Sequence, residues 1–392
     1  MPEKNSSNSI KILGMMSGTS GDGIDGALVE FDSEGSYKLL WHDSMIFHEK
    51  ERKRLRDLMI NATSSDVVLG HAYVAELYVE ACKTFLSENR KKPDYIAAHG
   101  QTILHLPQPM DWDGRILRGS LQLLNGSVLA NKSGFPVICN FREADMAVGG
   151  QGAPLVPYAD FIFFGQNMPS DRIILNIGGI ANITVLKKID RSSEILTAYD
   201  TGPGNMMMDA YCEHISAGAK RFDANGEMAA SGRVVEAIVS EILSDKYFNE
   251  LPPKSTGREK FGIFRLNELL ATVARNCDEC DVMASLLEIT VLSIAQAVTI
   301  ECQRLKPPVE LIVAGGGALN RQLLKRLQIK LGDLVSVLTS EKVGIPVMAR
   351  ESMAFAALGA AFVRGEAGNV PCATGAAQKV ILGQLHPVPV NQ

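Results

Sequence analysis

The chain has 392 residues, 46% hydrophobic and 21% charged, with a formal net charge of −5. That is room for two domains of ordinary size around an ample core, and the mild acidity, with no basic stripe, excludes nucleic acid as the main partner. Seven dispersed cysteines exclude a disulfide framework and fit a reducing, cytoplasmic compartment.

Residues 1–9 are polar and lack the apolar core of a signal peptide. The run from Ile10 to Met16 has strand length and breaks into Ser17-Gly18-Thr19-Ser20-Gly21-Asp22-Gly23; Ile24, Ala27 and Val29 then resume a strand pattern. A hairpin with such a tip can aim several N–H groups and hydroxyls at one anion. Asp22 and Asp25 add carboxylates, which suit Mg²⁺. The same residues also make a plain turn. No Gly-Lys-Ser/Thr follows, and glycines at 18, 21 and 23 do not have the dinucleotide-fingerprint spacing.

Tyr37 to Phe47 supplies a third strand, and Asp66 to Glu88 reads as a helix capped by Ser64 or Ser65. Tyr95 to Ala98 is a short buried strand with His99-Gly100-Gln101 at its carboxyl end, where open α/β sheets gather ligands. Residues 106–119, rich in Pro, Asp and Gly, read as loop; 121–130 as a helix; 136–139 as a strand. The glycines and prolines of 147–157 read as a hinge or rigid binding loop near a domain boundary.

The pattern then partly restarts. Arg172 to Ile177, the turn Gly178-Gly179 and a return over Ile183 to Leu186 repeat strand, glycine turn, strand. Leu196 to Tyr199 leads into the loop Asp200-Thr201-Gly202-Pro203-Gly204-Asn205, with Asn205 placed to cap a helix from Met206. A carboxylate on so rigid a mount meets the requirement for a general base; an Asp that bonds its own turn is the competing account. Lys254 and Arg258 suit a phosphate, a sugar acid or plain solvent. Met283 to Arg304 reads as a buried core helix, since Glu288 and Gln296 interrupt what would otherwise resemble a membrane span. Cys277 and Cys280 lack the two further ligands of a structural zinc site. Val309 to Ala314 opens through Gly315-Gly316-Gly317 toward a helix from Asn320, a place for a flat ring or phosphate to rest on bare backbone. The last helix starts near Ala349, with Glu351 in its first turn. Three glycine turns and a mounted Asp together fit a two-lobed phosphotransferase that uses ATP.

The segments MSGTSGDGID, HGQT, GGQGAPLVP, NIGGIAN, YDTGPGN, PKSTGRE, AGGG and ESMAFA, in this order between Ile10 and Gly383, resemble the anhydro-N-acetylmuramic acid kinases. The resemblance implies an α/β, two-lobed actin-like ATPase fold, with an RNase H-like mixed sheet flanked by helices in each lobe. Lobe I would take residues 1–139 and 350–392, and lobe II residues 140–349. It implies ATP, Mg²⁺, a cytoplasmic homodimer with no membrane partner, and a small anhydrosugar substrate. Water opens the anhydro bridge and the freed 6-oxygen is phosphorylated, a step of peptidoglycan recycling. Carried over by residue, Asp200 is the base. Gly18, Thr19, Ser20, Gly21, Asp22, Gly23, Ile24 and Asp25 hold the ATP phosphates, with Asp22 toward the metal. Gly178, Gly179, Gly202, Gly315, Gly316 and Gly317 lie by the nucleotide. His99, Gly100, Gln101, Gln151, Gly152, Asn205 and Glu351 face the sugar.

The chain departs from the family pattern in places. Gly21 stands where leucine is usual, and Glu143-Ala144 stands where an arginine could pair with the lactyl carboxylate of muramic acid. Two other readings therefore stay open: a kinase of a neutral anhydrosugar such as levoglucosan, and a non-catalytic actin-like nucleotide-binding regulator. The second has no need of Asp200.

Overall fold

A computed structural model describes residues 9–18, 21–89, 91–190 and 192–389, apart from the side chain of Glu259; Thr19 and Ser20 of the first hairpin tip lie outside the described residues. The chain divides into two compact units, Met1–Phe163 with Ala349–Gln392, and Phe164–Met348. The first division falls at 163/164, whereas the sequence suggested 139/140. The reason is a buried contact: Arg350 donates from Nε and Nη2 to the two carboxylate oxygens of Asp160, at 2.9 and 2.6 Å. Segment 140–163 is thereby fastened to the returning C-terminal helix.

The first unit holds β1 (Ser9–Met16), β2 (Gly23–Asp32), β3 (Tyr37–Ile46), β4 (Tyr95–Ala98), β5 (Gln101–Trp112), β6 (Arg115–Leu123), β7 (Val137–Cys139) and the last strand, β13 (Gln384–His386). Its main sheet runs β13-β7-β4-β1-β2-β3. β1, β2 and β3 form an antiparallel meander, and β4 and β7 add in parallel beside β1. On one face Leu13, Met15, Ile24 and Leu28 pack with Val74, Tyr78 and Phe85 of the helix Ser64–Glu88. That helix starts in a capping box, Thr63 accepting from the Asp66 amide and Asp66 reaching back; the cap is one residue earlier than expected. On β1 a Cβ at Gly14 would lie 1.9 Å from the Ser352 carbonyl oxygen, so only glycine lets the helix Arg350–Arg364 lie so close.

The second unit repeats the plan with β8 (Arg172–Ile177), β9 (Ile180–Ile189), β10 (Ser192–Pro203), β11 (Val309–Ala314) and β12 (Val335–Thr339), in the order β10-β9-β8-β11-β12. Again three consecutive strands are antiparallel and two follow in parallel beside the first. This is the RNase H-like order in both units: an α/β fold of paired mixed sheets flanked by helices, as the resemblance implied. The helix Glu279–Cys302 is apolar enough to cross a membrane by composition, but 72% of its most apolar window is buried inside the protein. Its N-cap is Asp278, whose side chain accepts from the Cys280 amide; Cys277 and Cys280 flank a helix start.

Two segments differ from expectation. Residues 106–119 are not loop but most of a β-hairpin, β5 and β6, paired from Gln101–Leu123 to Trp112–Arg115. Pro107 and Pro109 hide it in the sequence, because proline reads as a strand breaker. Accordingly the helix expected over 121–130 is instead the end of β6 followed by Gly126–Ser133. The helix Glu49–Asn61 was also unforeseen, its charged face masking two buried leucines, Leu55 and Leu58.

Candidate active site

In the second unit Asp200 sits inside β10, not in a loop beyond it. The pairing with β9 slips between Asp200 and Gly202, so the strand is irregular at the carboxylate. Asp200 is locked from a distant segment. Its amide donates to the Lys254 carbonyl at 3.3 Å, its carbonyl accepts the Tyr247 hydroxyl at 2.6 Å, and its Oδ2 accepts the Thr256 amide at 2.9 Å. Lys254 in turn donates to the Tyr247 carbonyl at 3.0 Å and lies 4.7 Å from the Tyr247 ring centroid. Burial lowers the pKa of its ammonium. Lys254 thus packs on the mount of Asp200. Tyr247 gave no signal in the sequence.

Around the end of β8 the glycine motifs converge. The Gly178 carbonyl accepts the Asn205 amide at 2.8 Å, and the Gly179 carbonyl accepts those of Gly204 at 2.8 Å and Met206 at 3.2 Å. A Cβ on Gly204 would stand 2.4 Å from the Gly178 oxygen, and one on Gly317 would stand 2.3 Å from Ile177 Cγ2. Gly315 adopts φ +79°, which favours glycine. Gly179 and Gly316 are exposed, giving bare backbone at the surface. Asn205 does not cap its helix by side chain; its Nδ2 donates to the Ile177 carbonyl at 3.4 Å. Gly202 faces inward, where a Cβ would meet the Phe248 ring at 2.8 Å, so it packs the strand rather than presenting a surface to ligand.

In the first unit the tip between β1 and β2 turns on a Gly21 amide to Gly18 carbonyl bond of 3.0 Å. Gln101 braces it, accepting from the Ser17 hydroxyl at 2.8 Å and donating to the Gly18 carbonyl at 3.1 Å. Ile24 points into the core at 0% exposure, so only its backbone can meet a phosphate. Asp25 accepts from the Ser44 hydroxyl at 2.5 Å, and burial raises its pKa; Asp22 is exposed. Among the described residues no three or more His, Cys, Asp or Glu side chains cluster as a protein-built metal site. Mg²⁺ carried on nucleotide phosphates needs only one or two carboxylates, and Asp22 fits that need.

His99, at the end of β4, is 5% exposed and packs on Phe355, with ring centroids 4.9 Å apart. Arg142 joins it to the Gln151-Gly152 loop: Nη2 lies 3.0 Å from His99 Nε2, and Nη1 donates to the Gly152 carbonyl at 2.7 Å. The Gly152 amide donates to Asp145 Oδ2 at 2.8 Å, while Asp145 Oδ1 accepts from Asn369 and Thr374, both at 2.8 Å. Arg142 and Asp145 are thus organisers to which the sequence assigned no role, although the segment Asn140-Phe141-Arg142-Glu143-Ala144-Asp145 that holds both resembles a motif of the same kinases. Glu351 lies half-buried in the first turn of its helix.

A sequence model described as anhydro-N-acetylmuramic acid kinase matches residues 10–388. Proteins of that name include one from Salinibacter ruber, 39% identical with 95% of each chain covered. Another, from Thiobacillus denitrificans, is 39% identical with 96% of each covered. A third, from Caldanaerobacter subterraneus, is 35% identical over 95% of this chain and 96% of its own. With the match spanning both units and every motif described above, the chain belongs to the anhydro-N-acetylmuramic acid kinase family.

Proposed function

We propose that the chain is an ATP-dependent kinase that opens the anhydro bridge of 1,6-anhydro-N-acetylmuramic acid with water and phosphorylates O6, yielding N-acetylmuramic acid 6-phosphate and ADP. The observation that carries this reading is the family match over residues 10–388. In it, Asp200 takes a proton from water as the oxygen bonds to carbon 1. The bond from carbon 1 to O6 breaks, O6 takes the γ-phosphoryl group, and the proton passes to solvent. Such a base must hold its orientation, and the contacts from Thr256, Tyr247 and Lys254 supply that restraint.

The nucleotide is assigned to the bare backbone of Gly178, Gly179 and Gly315 to Gly317, and its phosphates to the tip from Gly18 to Asp25. Mg²⁺ would be held by Asp22 and would neutralise phosphate charge. The sugar is assigned to His99, Gly100, Gln101, Gln151, Gly152 and Glu351. The reading includes a cytoplasmic place in peptidoglycan recycling, and a homodimer.

The test incubates the purified chain with MgATP and, separately, 1,6-anhydro-N-acetylmuramic acid, levoglucosan and N-acetylmuramic acid. ADP release is followed, and the product is identified by mass. Turnover of the first, with gain of one water and one phosphoryl group, is expected. Turnover of levoglucosan alone would transfer the reading to a neutral sugar, in keeping with Ala144. ADP release with none would remove the kinase.

A further inference from the structure

After the helix Arg350–Arg364 the chain doubles back in a tight turn over 369–380. At its centre is one helical turn, Pro371–Thr374, closed by Gly375 at φ +74°. Asn369 ties the two ends of this turn: its Nδ2 donates to the Gln378 carbonyl at 3.0 Å and its Oδ1 accepts the Val380 amide at 2.8 Å. Asn369 and Thr374 are 5% and 1% exposed, so their polar atoms need partners inside the protein. They find them beside the glycine loop. The Thr374 hydroxyl donates to Asp145 Oδ1 at 2.8 Å, and the Thr374 carbonyl accepts the Gln151 amide at 2.9 Å. The Ala377 amide donates to the Val148 carbonyl at 2.9 Å. Asp145 completes the connection: Oδ2 accepts the Gly152 amide at 2.8 Å and its carbonyl accepts the Gly150 amide at 2.9 Å. A Cβ on Gly150 would stand 2.1 Å from Asp145 Oδ2, so the loop lies directly on the carboxylate.

We propose that Thr374 is a positioning residue for the sugar: through it, the turn at 369–380 sets where Gln151 and Gly152 meet the substrate. This rests on the assignment of the sugar to that loop. Gly149 and Gly152 adopt φ +87° and +69°, and glycine moves freely among many conformations, so such a loop takes its shape from what grips it. Thr374 grips it twice, through the Asp145 carboxylate that holds the Gly152 amide and directly at the Gln151 amide. The backbone is thereby fixed, while the Gln151 side chain stands half-exposed and has no hydrogen-bond partner among the described residues. A polar group on a fixed mount with an open end suits a sugar hydroxyl or amide. Small displacements of such a group weaken binding, even when their origin is far from the reacting atoms.

The test measures KM for ATP and for 1,6-anhydro-N-acetylmuramic acid, or for levoglucosan where only that is turned over. The proteins are Thr374→Val, Thr374→Ser, Gln151→Ala and the double variant of Thr374→Val with Gln151→Ala. Thr374→Val keeps the shape and the carbonyl but loses the hydroxyl. It should raise the sugar KM roughly 3- to 10-fold and leave the ATP KM unchanged, and Thr374→Ser should restore it. Because Thr374 acts through the loop, its effect should shrink once Gln151 is already alanine. Should Thr374→Val misfold, hydrogen exchange of the wild type decides: saturating sugar should slow the amides of 147–156 and of 369–380 together. A sugar KM unchanged in Gln151→Ala, or a wild type that turns over neither sugar, overturns the assignment of the loop and the inference with it. A KM raised in Gln151→Ala but unchanged in Thr374→Val overturns the inference alone. So do equal rises for sugar and ATP, an undiminished effect in the double variant, or slowing confined to 147–156.

Discussion

Arg142 Nη2 donates to His99 Nε2 at 3.0 Å. Nε2 is therefore an acceptor, and the ring proton sits on Nδ1, which lies 2.9 Å from the Gly100 carbonyl and donates to it. Burial first, and the guanidinium second, push the His99 pKa down to about 3. The ring is uncharged at neutral pH: a fixed brace joining two loops and not a proton carrier.

Acid should find this brace. The unfolded histidine titrates near 6.5 and the folded one near 3, so between those values the unfolded chain binds the extra proton. The contribution is complete above about pH 6.5 and is lost as pH falls toward 3, at up to about 1.4 kcal/mol per pH unit. His105, lowered to about 4 mainly by burial, adds a second loss over a narrower window. Urea midpoints at pH 7.5 and 5.0 check it: His99→Asn should flatten the difference relative to the wild type. An unchanged difference would mean that the folded ring titrates normally.

Removing the other partner tests the joint itself. Arg142→Leu leaves His99 Nε2 and the Gly152 carbonyl without their donor. The KM for the sugar is expected to rise roughly 10- to 100-fold, with a smaller fall in kcat. Arg142→Lys should recover little, because a point charge cannot span both acceptors as a fork does. Equal KM values in all three proteins would leave Arg142 a packing residue only.

These joints explain how far the sequence could be read. Local pattern was enough for the two repeated sheets, because alternation in β1, β2, β8 and β9 is strong and their glycine turns are conspicuous. It failed at β5 and β6, where prolines and exposed leucines imitate loop. It placed Asp200 in a loop because Gly202 and Pro203 look like turn residues; the strand survives because the β9 pairing absorbs a bulge there. Tyr247 and Thr256 lie 47 and 56 residues from Asp200, and Arg142 lies 43 from His99; no local signal reports contacts at that separation.

The glycines of the second unit divide into packed and open ones, and alanine separates them. Gly204→Ala must push apart the bonds to Gly178 and Gly179, with an expected loss of about 2–4 kcal/mol in denaturant unfolding. At Gly316 a Cβ would meet nothing nearer than Asn205 Nδ2 at 3.8 Å, so stability should stay within about 0.5 kcal/mol. If nucleotide rests on that backbone, Gly316→Ala should weaken ATP binding about tenfold by calorimetry. Unchanged ATP affinity would move the nucleotide elsewhere.

The Arg350–Asp160 pair is 2% and 0% exposed at its side chains. Asp160→Ala leaves a buried guanidinium uncompensated, and a loss of about 3–5 kcal/mol is expected. Limited proteolysis should then cut between 140 and 163 first, since that segment loses its fastening. Cleavage elsewhere first would show that other contacts hold it.

Asp200→Asn retains the shape and the acceptor that the Thr256 amide needs, but removes the basicity. If Asp200 takes the proton from water, turnover should fall by roughly two to four orders of magnitude, with ATP affinity unchanged and stability within about 1 kcal/mol. Tyr247→Phe removes only the hydroxyl that anchors the Asp200 carbonyl. It should lower kcat by a smaller factor, and the loss should be independent of pH because the titrating group is still present. The comparison is informative in both directions. A base that acts must be both ionised and aimed, so the first variant removes the chemistry and the second loosens the aim. Near-normal turnover in Asp200→Asn would show that water is activated by another group, and the restraints around residue 200 would then serve only the fold.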